Sequence, residues 1–84
     1  MKTKVYQLAN NQFEISTPKG TYFQSYNSII AFKPNDKRRT QLDSYYWDYS
    51  RTTGKYRNQF LNEGITETRA KIKSKEYLLT NLNK

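Results

Sequence analysis

The sequence predicts an α+β fold in a single domain, residues 1–84: an antiparallel meander of about four strands, then two short helices and a C-terminal strand. Three observations predict it. The first 33 residues alternate apolar and polar side chains between turn-forming residues, which is typical of strands. From Tyr49 onward the apolar period becomes that of a helix. The stretch 77–82, YLLTNL, then returns to strand-forming residues.

The first two strands are predicted to form a hairpin around the asparagine pair at 10–11, because asparagine tolerates the positive φ that a two-residue type I′ turn requires. This register places Leu8 opposite Phe13 and Tyr6 opposite Ile15. Side chains alternate across a strand, so these four apolar residues are expected to share one face.

The sequence TPKG at 17–20 predicts a second turn, with proline and glycine at the second and fourth positions of a type I turn. A third strand is expected over 21–33, with a bulge or bend at 25–28. It sets Tyr22 opposite Ile15 and so extends the same apolar face.

A fourth strand is predicted over 40–47, TQLDSYYW, after a basic loop at 33–39. Period-two alternation then places Tyr45 and Trp47 on one face and Tyr46 on the other.

The first helix is predicted from four side chains spaced at offsets of 0, 4, 7 and 11: Tyr49, Thr53, Tyr56 and Phe60. Ser50 or Thr52 is expected to cap its N-terminus, and Gly64 to end it. The second helix is expected to begin at the N-cap Thr66. The C-terminal strand, 77–82, is expected at an edge of the sheet, paired within the chain or with a second copy.

Several reaction classes are excluded by composition. The chain has no histidine and no cysteine, so a Ser-His or Cys-His nucleophile is impossible, and zinc lacks its usual ligands. The seven acidic residues are scattered rather than clustered as a magnesium site requires. We therefore expect a protein that is not an enzyme, with no catalytic residues, no metal and no cofactor.

The chain carries 15 basic and 7 acidic residues, a formal net charge of +8, which favours a polyanionic partner or an acidic protein surface. The alternative is that these cations only serve solubility. The start of the chain lacks the apolar region of a signal peptide, and no apolar run is long enough to span a bilayer. We therefore expect a cytoplasmic protein with no membrane partner.

The stretch 45–57, YYWDYSRTTGKYR, interleaves aromatic residues with cations, which is typical of surfaces that bind single-stranded nucleic acid. The helical spacing favours the core instead for Trp47, Tyr49 and Tyr56. Tyr46 alternates with Trp47 and is expected to be exposed. The candidate partner- or nucleic-acid-binding residues are Lys37, Arg38, Arg39, Tyr46, Arg51, Lys55 and Arg57. The alternating cations at 69–75 spread around their helix and are given less weight.

Two segments, FQSYNSIIA (23–31) and WDYSRTTGKYRNQFL (47–61), resemble a family of small proteins from phages, plasmids and other mobile elements. That family shows the patterns F-Q-S-Y-x-S-x-I-A and W-D-Y-S-x-T-T-x-x-Y followed by F-L. The resemblance implies a mobile-element protein in a bacterial host, without implying a reaction or ligand.

Three functions are compatible with these observations. The first is an anti-defence inhibitor, similar to anti-CRISPR proteins, that binds a host nucleic-acid-handling protein such as a CRISPR effector nuclease. The alternative is a nucleic-acid-binding accessory or regulatory protein of the element. The third is a structural protein that buries apolar surface in a homodimer.

Overall fold

The structure is a computed structural model that describes residues 3–83, in which six strands form one sheet in sequence order and two helices precede the last strand. The elements are β1 (Lys4–Ala9), β2 (Gln12–Thr17), β3 (Gly20–Ser25), β4 (Ser28–Pro34), β5 (Gln41–Asp43), α1 (Arg51–Leu61), α2 (Ile65–Lys73) and β6 (Leu78–Thr80). Strands β1 to β5 are antiparallel neighbours, and β6 runs parallel to β5 at the sheet edge. Neither helix is long and apolar enough to cross a membrane.

The α+β class, the two helices and the C-terminal edge strand are confirmed, but the prediction of about four strands before the helices was wrong: five precede them, β1 to β5, and β6 brings the sheet to six. The predicted third strand is two strands, β3 and β4, because Tyr26 adopts a φ of 56° and turns the chain at 26–27. The predicted fourth strand, 40–47, is shortened to β5 because the chain turns at 44–48. The last strand pairs with β5 of its own chain.

The first hairpin departs from its predicted turn type and from its predicted register. Asn11 has a positive φ but Asn10 does not, so the turn at 10–11 is not the predicted type I′, and β1 contains a β-bulge. Ala9 lies opposite Gln12 beside the turn, as the predicted register requires, but Leu8 is then an extra residue on β1. Beyond it Val5, not Tyr6, lies opposite Ile15, so the predicted pairings of Leu8 and Tyr6 are wrong. Because Leu8 is an extra residue, every β1 residue that precedes it is shifted by one position relative to β2.

The helices cover one face of the sheet. The buried core there consists of Phe23, Ile30, Ala31, Leu42, Phe60 and Tyr77. The rings of Phe23 and Phe60 stack with centroids 5.6 Å apart and join β3 to α1. Tyr22 lies opposite Ile15, as predicted, but it neighbours Phe23 and so belongs to the other face, where its ring stacks on Phe32 at 4.3 Å. The face of the sheet that carries Ile15 and Tyr22, which was predicted to be the apolar face, is therefore not the face on which α1 packs.

Helix α1 begins where the sequence predicts. The Ser50 hydroxyl accepts a hydrogen bond from the Thr53 backbone N–H at 3.1 Å, so Ser50 is the N-cap. Tyr49, the first residue of the predicted stripe, precedes this cap and lies outside the helix with 62% of its surface exposed, so its assignment to the core was wrong. Trp47 and Tyr56 pack, half-buried, against the core.

The helix ends differ from the predicted ones. Helix α1 ends at Asn62, whose left-handed backbone (φ 57°) directs its N–H to the carbonyl oxygens of Asn58 and Gln59. Gly64 is instead the N-cap of α2, in place of Thr66. The left-handed residue that ends a helix is usually glycine but is sometimes asparagine, as it is here, so α1 ends before the glycine is reached.

Gly20 lies against β4 with no room for a side chain, and we expect the substitution Gly20→Ala to be destabilising. A Cβ there would lie 2.3 Å from the Lys33 carbonyl oxygen and 2.7 Å from the Phe32 ring. Both neighbours are firmly held, so we expect a loss of about 2 kcal/mol in the free energy of unfolding, measured by urea denaturation. Gly54→Ala is the matched control: its Cβ would lie no closer than 3.6 Å to Arg57, and inside a helix it should stabilise by up to about 1 kcal/mol. An unchanged G20A protein would contradict the prediction.

Candidate functional site

Two adjoining depressions meet at the N-terminus of α1. The first, here called the tyrosine groove, has a volume of about 570 Å³ and is lined by Ser25, Tyr26, Asn27, Ser28, Tyr46, Tyr49, Ser50 and Thr52. The second, the basic depression, is lined by Asp48, Ser50, Arg51, Gly54, Lys55, Arg57, Asn58, Ile65 and Arg69. Ser50 lines both, so the two depressions adjoin at this residue.

The β3–β4 turn forms one wall of the tyrosine groove. Its first residue, Tyr26, donates its backbone N–H to the Asn11 carbonyl oxygen at 2.7 Å, which ties this turn to the β1–β2 turn. The Gln24 side-chain amide donates to the Tyr26 carbonyl oxygen at 2.8 Å. These bonds hold the turn, and 48% of the Tyr26 surface stays exposed.

The opposite wall is the segment that follows β5. The Tyr46 ring makes edge contacts with Tyr45 and Tyr49, at centroid distances of 4.7 and 5.3 Å. Tyr46 was expected to be exposed, but it is half-buried against the core. Tyr45, at 74%, and Tyr49, at 62%, are the exposed rings of this segment. The strand on which the alternation was based ends at Asp43, so that alternation does not apply.

Buried Asp43 shapes this wall. One carboxylate oxygen accepts the backbone N–H groups of Tyr45 (3.1 Å) and Tyr46 (2.8 Å), and the other accepts that of Leu82 (2.8 Å). Burial acts to raise the pKa of Asp43, but these donors outweigh it, so the pKa lies below its ordinary value. The ionised side chain therefore turns the chain toward the groove and joins it to the C-terminal segment.

Hydroxyl groups connect the two walls beneath the groove. Ser25 on β3 and Thr53 on α1 share a hydrogen bond of 2.9 Å, and the Ser50 hydroxyl donates to Thr53 at 3.1 Å. The segments 23–31 and 47–61, which carry the resemblance described above, therefore meet at this groove.

Two of the four cations that line the basic depression have no matching acid among residues 3–83. Within residues 3–83, neither Arg51 nor Lys55 has an ion-pair partner, and both are exposed. Arg69 approaches its one acid, Asp48, at 3.6 Å. The first turn of α1 contains no acidic residue, so Arg51 adds to the positive end of the helix dipole instead of being offset. This depression is suited to an anion.

Arg57 belongs to the fold rather than to the surface. It is only 1% exposed, and one Nη atom donates to the Trp47 carbonyl oxygen at 2.8 Å and to Asp48 at 3.0 Å. The other Nη atom donates to the Asn58 side chain at 3.0 Å, and the guanidinium lies 5.3 Å from the Trp47 ring. The expected role of Arg57 as an exposed contact residue does not fit this position.

The remaining candidate cations, Lys37, Arg38 and Arg39, lie in the exposed β4–β5 loop and line neither depression. Arg38 is bound to Asp36: its backbone N–H and its Nε both donate to that carboxylate, at 2.9 to 3.0 Å. The backbone bond is the largest cause of the lowered Asp36 pKa, followed by the side-chain bond. The structure therefore groups Arg51 and Lys55 with Tyr46 and separates the loop cations from them.

Three surface residues of this site were missed from the sequence: Tyr26, Tyr49 and Arg69. Asn27, a turn-forming residue between two apolar runs, favours a turn there, but the stretch 25–28 was interpreted as a bulge or bend within one strand. Tyr49 stands directly before the cap Ser50, which marks it as lying outside the helix. Arg69 was noted among the cations at 69–75 but was given less weight, because its place in the depression depends on how α2 packs beside α1.

The lining indicates what the site can bind. The tyrosine groove offers three aromatic rings, hydroxyl groups and one amide, without a charged side chain. Such a lining suits planar, uncharged, polar groups, and the neighbouring cations suit an anion attached to them. No group of three or more potential metal ligands occurs among residues 3–83.

A family model described as "Family of unknown function (DUF8033)" matches residues 1–78. The match covers most of the chain, so the chain belongs to this family. No curated protein and no solved structure matches the chain.

Proposed function

We propose that this member of DUF8033 is a non-catalytic protein that binds single-stranded nucleic acid where the tyrosine groove and the basic depression meet. The observation that carries the proposal is that the two depressions adjoin at Ser50. A single strand presents uncharged planar bases beside anionic phosphates, so it matches an uncharged aromatic groove next to a cationic depression. A duplex keeps its bases stacked and offers such a groove little to contact.

Charge supports the same partner. The net charge of +8 attracts a polyanion from a distance, and Arg51 and Lys55 have no competing acid within residues 3–83. The resemblance to phage and plasmid proteins adds a context: an accessory or regulatory protein of a mobile element, acting in the cytoplasm of a bacterial host.

The second candidate is an anti-defence inhibitor that docks on a host nucleic-acid-handling protein, such as a CRISPR effector nuclease. The exposed β1 edge favours a protein partner, because Val5 is 62%, Tyr6 52% and Leu8 37% exposed on a strand with one free side. Such an edge accepts an added strand from another chain, and a homodimer is the case in which that chain is a second copy.

Binding to labelled oligonucleotides, measured by fluorescence anisotropy across a salt series, tests the nucleic-acid proposal. We expect tighter binding of single strands than of duplexes and a linear fall of log K with log salt concentration. The double substitution of Arg51 and Lys55 by glutamate should weaken binding at least about tenfold, because it removes both unpaired cations of the depression.

The matched control replaces Lys37 and Arg39 with glutamate, which changes the net charge equally but away from the site. We expect a smaller loss for this control. Equal losses in both variants, or affinity that does not depend on salt, would contradict the proposed site. If no oligonucleotide binds and a complex with an effector nuclease survives gel filtration, the inhibitor candidate replaces the nucleic-acid-binding proposal.

A further inference from the structure

We propose that the tyrosine groove is a nucleobase site in which Tyr26 is the aromatic residue that contacts the base. This inference rests on the proposed function and names the part of the nucleic acid that the groove receives. It is carried by the backbone of Tyr26, by the chemistry of the groove and by its position beside the cations.

Tyr26 occupies a conformation that its turn does not favour. Its φ of 56° lies in the left-handed region, where side chains are disfavoured and glycine or asparagine is the usual residue. The other non-glycine residues with positive φ in the described chain are Asn11, Asn62 and Lys75, two of which are asparagines. A tyrosine at the first position of this two-residue turn therefore costs stability that asparagine would spare.

Core packing does not explain the tyrosine either. Its ring is about half exposed, at 48%, and it does not belong to the core cluster. The turn instead holds it at the edge of the groove: the Tyr26 backbone N–H donates to the Asn11 carbonyl oxygen, and its carbonyl oxygen accepts from the Gln24 side-chain amide. A residue kept in a strained conformation with its ring in an open groove indicates a binding role.

The groove has the chemistry of a base site. Its volume of about 570 Å³ lies within the range of small-ligand sites, and its rings come from both walls: Tyr26 on one, Tyr46 and Tyr49 on the other. Bases stack on such rings whatever their identity, and the hydroxyl groups of Ser28 and Thr52 are available to their polar edges.

The position of the phosphates follows from the shared residue. Ser50 separates the groove from Arg51, so a nucleotide with its base against Tyr26 and Tyr49 directs its phosphate toward Arg51 and Lys55. The uncharged lining accounts for the base, and the adjoining cations account for the phosphate. Neither depression by itself matches a whole nucleotide.

The test combines the variant Tyr26→Asn with two oligonucleotides of about twelve nucleotides. One is an oligothymidine, and the other has the same backbone with an abasic site at every position. Because asparagine tolerates the left-handed backbone, we expect Y26N to raise the Tm by about 4–8 °C. At the same time its affinity for the intact strand should fall at least about tenfold. The wild type should bind the abasic strand about as weakly as Y26N binds the intact one.

Tyr6→Ala is the control, because Tyr6 is 52% exposed, about as much as Tyr26, and lines neither depression, so its affinity should change less than about twofold. If the wild type binds abasic and intact strands equally, the base site is refuted and electrostatic nucleic-acid binding stands. A lower Tm together with unchanged affinity in Y26N refutes the role of Tyr26. If neither strand binds the wild type, the proposed function fails and this inference fails with it.

Discussion

Replacement of Arg57 with methionine is expected to lower the free energy of unfolding by about 3 kcal/mol, a large part of the stability of a domain of this size. Methionine fills part of the same volume but leaves the Trp47 carbonyl oxygen and the Asp48 carboxylate without their 2.8 and 3.0 Å donors. Losing one member of a buried pair costs up to about 5 kcal/mol. Asp48 remains partly solvated and within 3.6 Å of Arg69, so we expect the lower part of that range.

Urea denaturation of R57M, with Arg51→Met as the matched control, measures this effect. Arg51 lies on the same helix but is exposed and unpaired among the described residues, so R51M should change stability by no more than about 0.5 kcal/mol. A fully stable R57M protein that has lost its ligand would overturn the structural role and restore Arg57 as a contact residue.

Replacement of Asp43 with asparagine is expected to lower stability by about 2 to 3 kcal/mol at neutral pH and to weaken nucleic-acid binding as well. Asparagine keeps one acceptor oxygen, but its amide group presents hydrogens to a backbone N–H that needs an acceptor. The turn that positions Tyr46 and the bond to Leu82 cannot both be kept.

The same carboxylate predicts a dependence on pH. The pKa of Asp43 in the folded protein is lowered from 3.8, so its contribution to stability is fully present above the unfolded pKa and is lost as the pH falls through the folded pKa. The difference in Tm between wild type and D43N should therefore be largest near pH 7 and shrink below about pH 4.

Asp36→Asn is the control for this experiment. The pKa of Asp36 is also lowered, but its bonds to Arg38 lie in an exposed loop, so its removal should change the Tm little at either pH. A Tm difference between wild type and D43N that is the same at pH 7 and pH 3 would contradict the role assigned to the ionised Asp43.

Features that depend on neighbouring residues were predictable from the sequence. The α+β class, the positions of the turns at 10–11 and 17–20, the cap Ser50, and the packing of Trp47 and Phe60 against one core are all confirmed. Each follows from turn chemistry, capping or periodicity, which act over a few residues. The basic and aromatic character of 45–57 was equally evident, since it is a matter of composition.

Features that depend on distant contacts were decided only by the tertiary structure. The bulge at Leu8 changed the first register, and the turn at Tyr26 divided the third strand. Phe23 rather than Tyr22 faces the helices, because α1 packs on that side of the sheet.

The candidate site shows the same division. Its cations were visible in the sequence, but Arg57 is buried because α1 places it beside the Trp47 carbonyl oxygen and Asp48. The two walls of the groove are joined by the Ser25–Thr53 bond, whose residues lie 28 apart in the sequence. Local residue preferences determine which elements form, whereas the burial of a polar side chain depends on partners that only packing brings within hydrogen-bonding distance.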